Sequence, residues 1–195
     1  MKHLPNTITI GRIVLTPVVL GLFFSHTLAL RALGLVLFLL LAWSDWVDGK
    51  LARKYQVSSR VGQFLDPLAD KVLVLGTFIT LPFLLPEVVP WWAVGLIALR
   101  DVVVTGLRVY ADRMGWTLPT LYAAKVKTTI QLVFLIVVLT LYVLHQVPGV
   151  VGAWASWLLF GPVVQILLYG VVLVTLFTGI QYLYLMKKRS HESPA

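Results

Sequence analysis

Residues 128–186 read TTIQLVFLIVVLTLYVLHQVPGVVGAWASWLLFGPVVQILLYGVVLVTLFTGIQYLYLM and contain no Asp, Glu, Lys or Arg. A helix crosses a hydrocarbon core of about 30 Å with about 20 apolar residues, so the tract is too long for one crossing. Proline and glycine, which interrupt helices, stand together at 148–149 and again at 161–162. The tract therefore predicts two membrane helices, over 123–147 and 162–187.

The composition of the whole chain agrees with a membrane protein. Of its 195 residues, 59% are hydrophobic and 12% are charged, whereas soluble domains have about 45–50% and about 25%. The absence of cysteine excludes disulfides, thiolate zinc sites and cysteine nucleophiles. A net charge of +8 would suggest nucleic acid in a soluble protein, but here the bases lie in short clusters between apolar runs. We therefore expect lipid as the main solvent and no nucleic-acid partner.

Four further apolar segments precede this tract, over 13–30, 31–53, 61–85 and 88–110. With the two helices of the tract they predict an all-α polytopic membrane protein of six transmembrane helices, forming a single domain over 1–195. An even number of crossings places both termini on the same side of the membrane.

The distribution of basic residues indicates which side that is. Connections rich in Lys and Arg remain in the cytoplasm, and the opposite connections contain only Arg31 and Glu87. We expect both termini to be cytoplasmic, in a multi-pass protein of the cytoplasmic (inner) membrane, with Trp154 and Trp157 in an interfacial aromatic belt. The basic clusters are Lys2 and Arg12; Lys50, Arg53, Lys54 and Arg60; Arg108, Arg113, Lys125 and Lys127; and Lys187, Lys188 and Arg189.

Four of the eight acidic residues gather around the connection between the second and third helices. Asp45 and Asp48 are three residues apart and Asp66 and Asp70 are four apart, so each pair lies on one face of a helix. A short connection makes the two helices antiparallel neighbours, so the two acidic faces can meet at the cytoplasmic interface.

Four clustered carboxylates repel one another unless cations neutralise them. Carboxylates without His or Cys favour hard cations, and a pair of such ions suits phosphoryl chemistry. The alternative is a solvated network of ion pairs between the aspartates and Lys50, Arg53, Arg60 and Lys71. The matched faces and the small residues between the acids, which leave room for a bulky ligand, favour a ligand site; these small residues are Gly49, Ala52 and Gly62.

The segment from Asp45 to Asp70, DWVDGKLARKYQVSSRVGQFLDPLAD, resembles the signature of the CDP-alcohol phosphotransferases. This resemblance implies a fold of six transmembrane helices, a homodimer, and displacement of CMP from a CDP-linked lipid by an alcohol at a site of Mg²⁺ or Mn²⁺, with two ions expected. It also implies roles for single residues. Asp45, Asp48, Asp66 and Asp70 resemble the metal ligands, Asp70 also the general base, and Gly49, Ala52, Arg53 and Gly62 the binding site of the CDP-lipid.

The acceptor alcohol is indicated by bases in the fourth and fifth helices. Arg100 and Arg108 are eight residues apart and so lie roughly on one helix face. Arginine within a span is costly unless it meets an anion, which indicates an acceptor that carries a phosphate. Lys125 and Lys127 are further candidates for this phosphate site, although Arg108 and both lysines would also serve as ordinary cytoplasmic anchors.

The same region resembles one branch of the family, the phosphatidylglycerophosphate synthases, in RDVVVTGLR at 100–108 and KVKT at 125–128. Asp101 stands where that branch commonly has Glu. The resemblance implies CDP-diacylglycerol and sn-glycerol 3-phosphate as substrates, with phosphatidylglycerophosphate and CMP as products. Within the family, inositol phosphate or phosphatidylglycerol remain alternative acceptors. Outside it, the acids would suit a small cation transporter, although their position at one side of the membrane speaks against a conducting path.

Overall fold

The computed structural model describes residues 4–55, 60–114 and 122–192, with side chains over 11–44, 71–111, 113–114 and 126–187. These ranges contain seven helices and no strand, so the all-α prediction is confirmed. The helices are α1 (Leu4–Leu22), α2 (Leu28–Tyr55), α3 (Arg60–Leu84), α4 (Trp91–Arg113), α5 (Tyr122–Leu144), α6 (Val150–Phe160) and α7 (Pro162–Glu192).

The boundary between the first two helices was predicted wrongly. The sequence suggested one span through Leu30, but α1 ends at Leu22 and α2 already begins at Leu28. The amide N–H groups of the intervening turn bond three residues back, and the Thr27 amide donates to the Ser25 hydroxyl at 3.3 Å. Small hydroxyl side chains that accept backbone bonds favour turns over helix. A search for uncharged runs overlooks such a break because serine and threonine carry no charge.

A seventh helix, α6, occupies what was predicted to be a plain connection. It follows Gly149, whose φ of +92° suits glycine alone, and an added Cβ on Gly152 would lie 1.9 Å from the Val147 carbonyl oxygen. Eleven residues rise only about 16 Å, too little to cross the membrane. Trp154 and Trp157 are both exposed on α6, in keeping with an interfacial helix.

Helix packing brings the first and last parts of the chain around a common core. Helix α1 packs on both α2 and α3, α4 packs on α7, and α5 packs on α2, α6 and α7. The interior contains large apolar side chains such as Phe23, Phe38 and Leu135. Phe78 of α3 stacks on Phe134 of α5 with ring centroids 5.9 Å apart. This core fixes the relative positions of α3, α4, α5 and α7, the four helices that carry the polar site described below.

Two of the described helices contain segments long and apolar enough to cross a membrane, Val126–Leu144 and Pro162–Lys187. Both belong to the predicted last two spans. Their outer faces carry large apolar side chains that remain exposed in the described part of the chain; Ile166 and Leu173 are each about two-thirds exposed. Exposed apolar surface of this extent is what lipid contact requires, and it agrees with a membrane protein.

Candidate active site

The four predicted metal-binding aspartates lie in two consecutive helices. Asp45 and Asp48 are in the second half of α2, and Asp66 and Asp70 are in the first half of α3. Both segments are helical, so the spacings of three and four residues put each pair on one helix face. Only residues 56–59 separate the helices, and an extended link of this length spans at most about 18 Å. The end of α2 and the start of α3 are therefore no more than about 18 Å apart.

The side chains of these aspartates lie outside the described residues, as do those of Ala52, Arg53 and Lys125. The meeting of the two acidic faces thus stays a prediction, and so do the predicted roles of Gly49 and Gly62. Among the side chains that the structure describes, no group of three or more His, Cys, Asp and Glu is placed to hold a metal ion.

A described polar cluster is centred on Asp101 of α4. Its Oδ1 accepts from Lys127 Nζ of α5 at 2.7 Å and from Arg100 Nη1 at 3.0 Å. All three side chains are at most 9% exposed. A charge removed from water must be paired to be tolerated, so Asp101 allows two cations to stay inside the helix bundle.

A second contact joins this cluster to α3. The Thr105 hydroxyl donates to the Asp101 carbonyl oxygen at 2.6 Å, one helical turn back, and accepts a hydrogen bond from Lys71 Nζ. Lys71 follows Asp70 directly in the sequence. Pairing of Lys71 with the aspartates stays a prediction, and the structure adds a contact of its ammonium group with α4. The cation cluster is therefore next to the helical turn that carries Asp70.

Arg100 and Arg108 of α4 both contact α7. Arg100 Nη2 donates to the Thr178 hydroxyl at 2.9 Å, and Arg108 Nη2 donates to the Tyr182 hydroxyl. The Tyr182 ring also lies under both guanidinium groups, with its centroid 4.9 Å from Arg108 Cζ and 5.9 Å from Arg100 Cζ. The shared face that the spacing of eight predicts is thus found in the structure, turned towards α7.

Positive charge exceeds negative charge in this cation cluster, which we define as Lys71, Arg100, Arg108 and Lys127 with Asp101. Four cations face one carboxylate among the described side chains. Arg100 Nε is buried and has no hydrogen-bond acceptor among the described residues. With its excess positive charge and the unused donor of Arg100, the cation cluster is suited to bind an anion such as phosphate.

Three contacts of this cluster escaped the sequence analysis. Thr178 and Tyr182 belong to the uncharged tract, which was interpreted only as a membrane span, and the contact of Lys71 with Thr105 joins residues 34 positions apart. Thr178 and Tyr182 are four residues apart on one face of an apolar helix, and this spacing could have indicated a polar contact with another helix. It does not identify the partner helix, because that depends on packing between distant parts of the chain.

Comparison with known proteins agrees with the motif in α2 and α3. The chain matches the sequence model of the CDP-alcohol phosphatidyltransferase family over residues 2–177. It is 33% identical to the CDP-diacylglycerol–glycerol-3-phosphate 3-phosphatidyltransferase of Rickettsia typhi over 93% of this chain and 96% of that protein. The proteins of the same name from Bacillus subtilis and Salmonella choleraesuis are 31% and 30% identical, each over 93% of this chain and 94% and 93% of their own length.

Proposed function

Because the chain belongs to the CDP-alcohol phosphatidyltransferase family, we propose that it transfers the phosphatidyl group of CDP-diacylglycerol to sn-glycerol 3-phosphate. The products are phosphatidylglycerophosphate and CMP, the first step towards phosphatidylglycerol and cardiolipin. The single observation that carries the choice of acceptor is the excess of positive charge among the described side chains of the cation cluster. The names of the similar proteins supply the same acceptor.

The proposed setting is the cytoplasmic membrane. Residues 1–195 form one domain, in which α1 to α5 and α7 cross six times and α6 lies at the outer interface. Both termini and the active site face the cytoplasm, since the basic clusters lie on that side. We also expect a homodimer, on the resemblance to the family alone.

The donor set at the ends of α2 and α3 fits divalent metal. Asp45, Asp48, Asp66 and Asp70 offer only carboxylate oxygens, on two helices whose ends a four-residue link joins, and oxygen-only sites select hard ions such as Mg²⁺ or Mn²⁺. Two bound ions would neutralise the four acids and polarise the pyrophosphate of the CDP-lipid. The nucleotide then lies against Gly49, Ala52 and Gly62, with Arg53 at a phosphate.

The chain's own residues carry out the proton transfer and the positioning. The glycerol hydroxyl attacks the phosphorus that bears the diacylglycerol, a new P–O bond forms, and the P–O bond to CMP breaks. Asp70 accepts the hydroxyl proton as general base. CMP leaves with the electrons of the broken bond.

The cation cluster binds the phosphate of the acceptor. Arg100, Arg108 and Lys127 stand on two neighbouring helices, and Lys125 lies one turn from the start of α5. Guanidinium and ammonium groups bind phosphate oxygens through short, charge-assisted bonds. Since Lys71 ties this cluster to α3 beside Asp70, a bound phosphate would hold the glycerol hydroxyl close to the general base.

The acceptor is tested with purified protein, CDP-diacylglycerol and a panel of radiolabelled alcohols. We expect phosphatidylglycerophosphate and stoichiometric CMP from glycerol 3-phosphate, and no product from inositol phosphate or phosphatidylglycerol. A lipid product formed only with one of the other two acceptors would overturn the assignment. Ion flux in proteoliposomes without release of CMP would instead favour a cation transporter.

A further inference from the structure

The C-terminal half of α7 contacts the cation cluster through one helix face. Thr175, Thr178 and Tyr182 recur at spacings of three and four residues, so they lie on one side of the helix. All three are at most 1% exposed. A tyrosine hydroxyl and two threonine hydroxyls inside an apolar tract need polar partners, and the arginines of α4 supply them for Thr178 and Tyr182.

We propose that Tyr182 positions Arg108 and Arg100 for the acceptor phosphate. This inference rests on the proposed function. The ring underlies both guanidinium groups, at 4.9 and 5.9 Å, so a single side chain sets the separation of two cations. Asp101 already pairs with Arg100; the cation–π attraction to Tyr182 and the hydrogen bond from Arg108 add support that does not neutralise the charge of either guanidinium group.

Arg108 keeps free hydrogen-bond donors although it is bonded to Tyr182. Tyr182 accepts from one of the five N–H donors of Arg108, and no other acceptor for that side chain is found among the described residues. The arginine is thus oriented but not saturated. Restricting two flexible side chains in advance reduces the entropy lost when phosphate binds, so the expected benefit is affinity for the phosphorylated acceptor.

Gly179 permits the close approach of α7 to α4. A Cβ atom added there would lie 3.0 Å from Arg100 Cγ, closer than side chains ordinarily pack. Arg100, which contacts Thr178 and the Tyr182 ring, would have to shift by a few tenths of an ångström. By contrast, a Cβ on Gly170 of the same helix has nothing within 4 Å. The two glycines are therefore a matched pair for testing whether the placement of Arg100 matters.

Both Thr178 and Tyr182 lie beyond residue 177, where the match to the family model ends. The family match therefore includes the two arginines and Asp101, which pairs with Arg100, but not the two residues of α7 that contact the arginines. On this proposal, the last turns of α7 belong to the binding site of the acceptor and do not serve only as a membrane anchor.

The first test uses Tyr182→Phe, which keeps the ring and removes the hydroxyl. Loss of a hydrogen bond to a charged group predicts a rise of about tenfold in KM for glycerol 3-phosphate, and Tyr182→Leu, which also loses the ring, raises it further. The kcat value and the KM for CDP-diacylglycerol stay within about twofold of the wild-type values. The reason is that the lost interaction binds the acceptor equally in the ground state and in the transition state. Tyr184→Leu is the control, because Tyr184 is 68% exposed on the same helix.

The second test compares Gly179→Ala with Gly170→Ala. Both replacements favour the helix, so neither lowers the melting temperature through propensity. We expect only Gly179→Ala to raise the KM for glycerol 3-phosphate. The proposal is overturned if Tyr182→Phe and Gly179→Ala both leave that KM unchanged. It is also overturned if the two variants raise the KM for glycerol 3-phosphate and the KM for CDP-diacylglycerol equally, or if they act only by lowering the melting temperature. A wild-type enzyme that makes no product from glycerol 3-phosphate contradicts the proposed function itself, which is a separate outcome.

Discussion

The aspartate region of α2 and α3 and the cation cluster of α4, α5 and α7 use charge in opposite ways. In the first, we propose that divalent cations from outside the chain neutralise four acids of one sign. In the second, Asp101 of the chain itself is the counter-ion, and the described side chains still carry excess positive charge. On this proposal, each of the two sites is balanced only when its ligand binds.

The largest effect is expected in the aspartate region. Asp70→Asn removes the proposed general base and a proposed metal ligand, so turnover should fall by at least about 10²-fold, the lower end of what such a base contributes. Binding of CDP-diacylglycerol should remain measurable by titration calorimetry in nanodiscs. Glu87→Gln is the control, because Glu87 is exposed at the other end of α3. A near-normal rate in Asp70→Asn would contradict the assignment.

A smaller effect is expected from the counter-ion of the cation cluster. Asp101→Ala leaves Lys127 and Arg100 buried without their shared carboxylate, and breaking a buried pair costs about 3–5 kcal/mol. We expect a lower melting temperature and a higher KM for glycerol 3-phosphate. Asp101→Glu keeps the charge, so its melting temperature and its KM for glycerol 3-phosphate should be closer to the wild-type values. If Asp101→Ala melts like the wild type, Asp101 is not what holds these cations inside the bundle.

The smallest effect is expected from a single phosphate contact. Arg108→Ala should raise the KM for glycerol 3-phosphate by about 10- to 100-fold, the value of one charge-assisted hydrogen bond, while the KM for CDP-diacylglycerol stays unchanged. Arg113→Ala on the same helix is the matched control, since its side chain is exposed. If Arg108→Ala raises only the KM for CDP-diacylglycerol, Arg108 belongs to the binding site of the CDP-lipid and not to that of the acceptor phosphate.

The two regions also differ in how far the sequence predicts them. The helical faces of Asp45–Asp48 and Asp66–Asp70 follow from local spacing, and the helix assignments of the structure agree. The shared direction of Arg100 and Arg108 was likewise predictable from a spacing of two turns. These features depend only on the helical period, so the spacing of the residues in the sequence is enough to predict them.

Contacts between distant helices were not predictable in the same way. Tyr182 lies 74 residues from Arg108, and nothing in its own apolar neighbourhood identifies α4 as its partner. The break between α1 and α2 and the helix α6 were missed for a different reason. A search for long uncharged runs cannot distinguish a hydroxyl-stabilised turn, or a helix too short to span, from the interior of a membrane helix.

The account depends most on divalent metal at the aspartate faces of α2 and α3. The direct measurement is the rate of CMP release by the purified wild-type protein, with CDP-diacylglycerol and glycerol 3-phosphate, as free metal is lowered with a chelator. We predict that release stops in the stripped protein and returns with Mg²⁺ or Mn²⁺ but not with Zn²⁺. Undiminished release from protein shown to be metal-free would contradict the account.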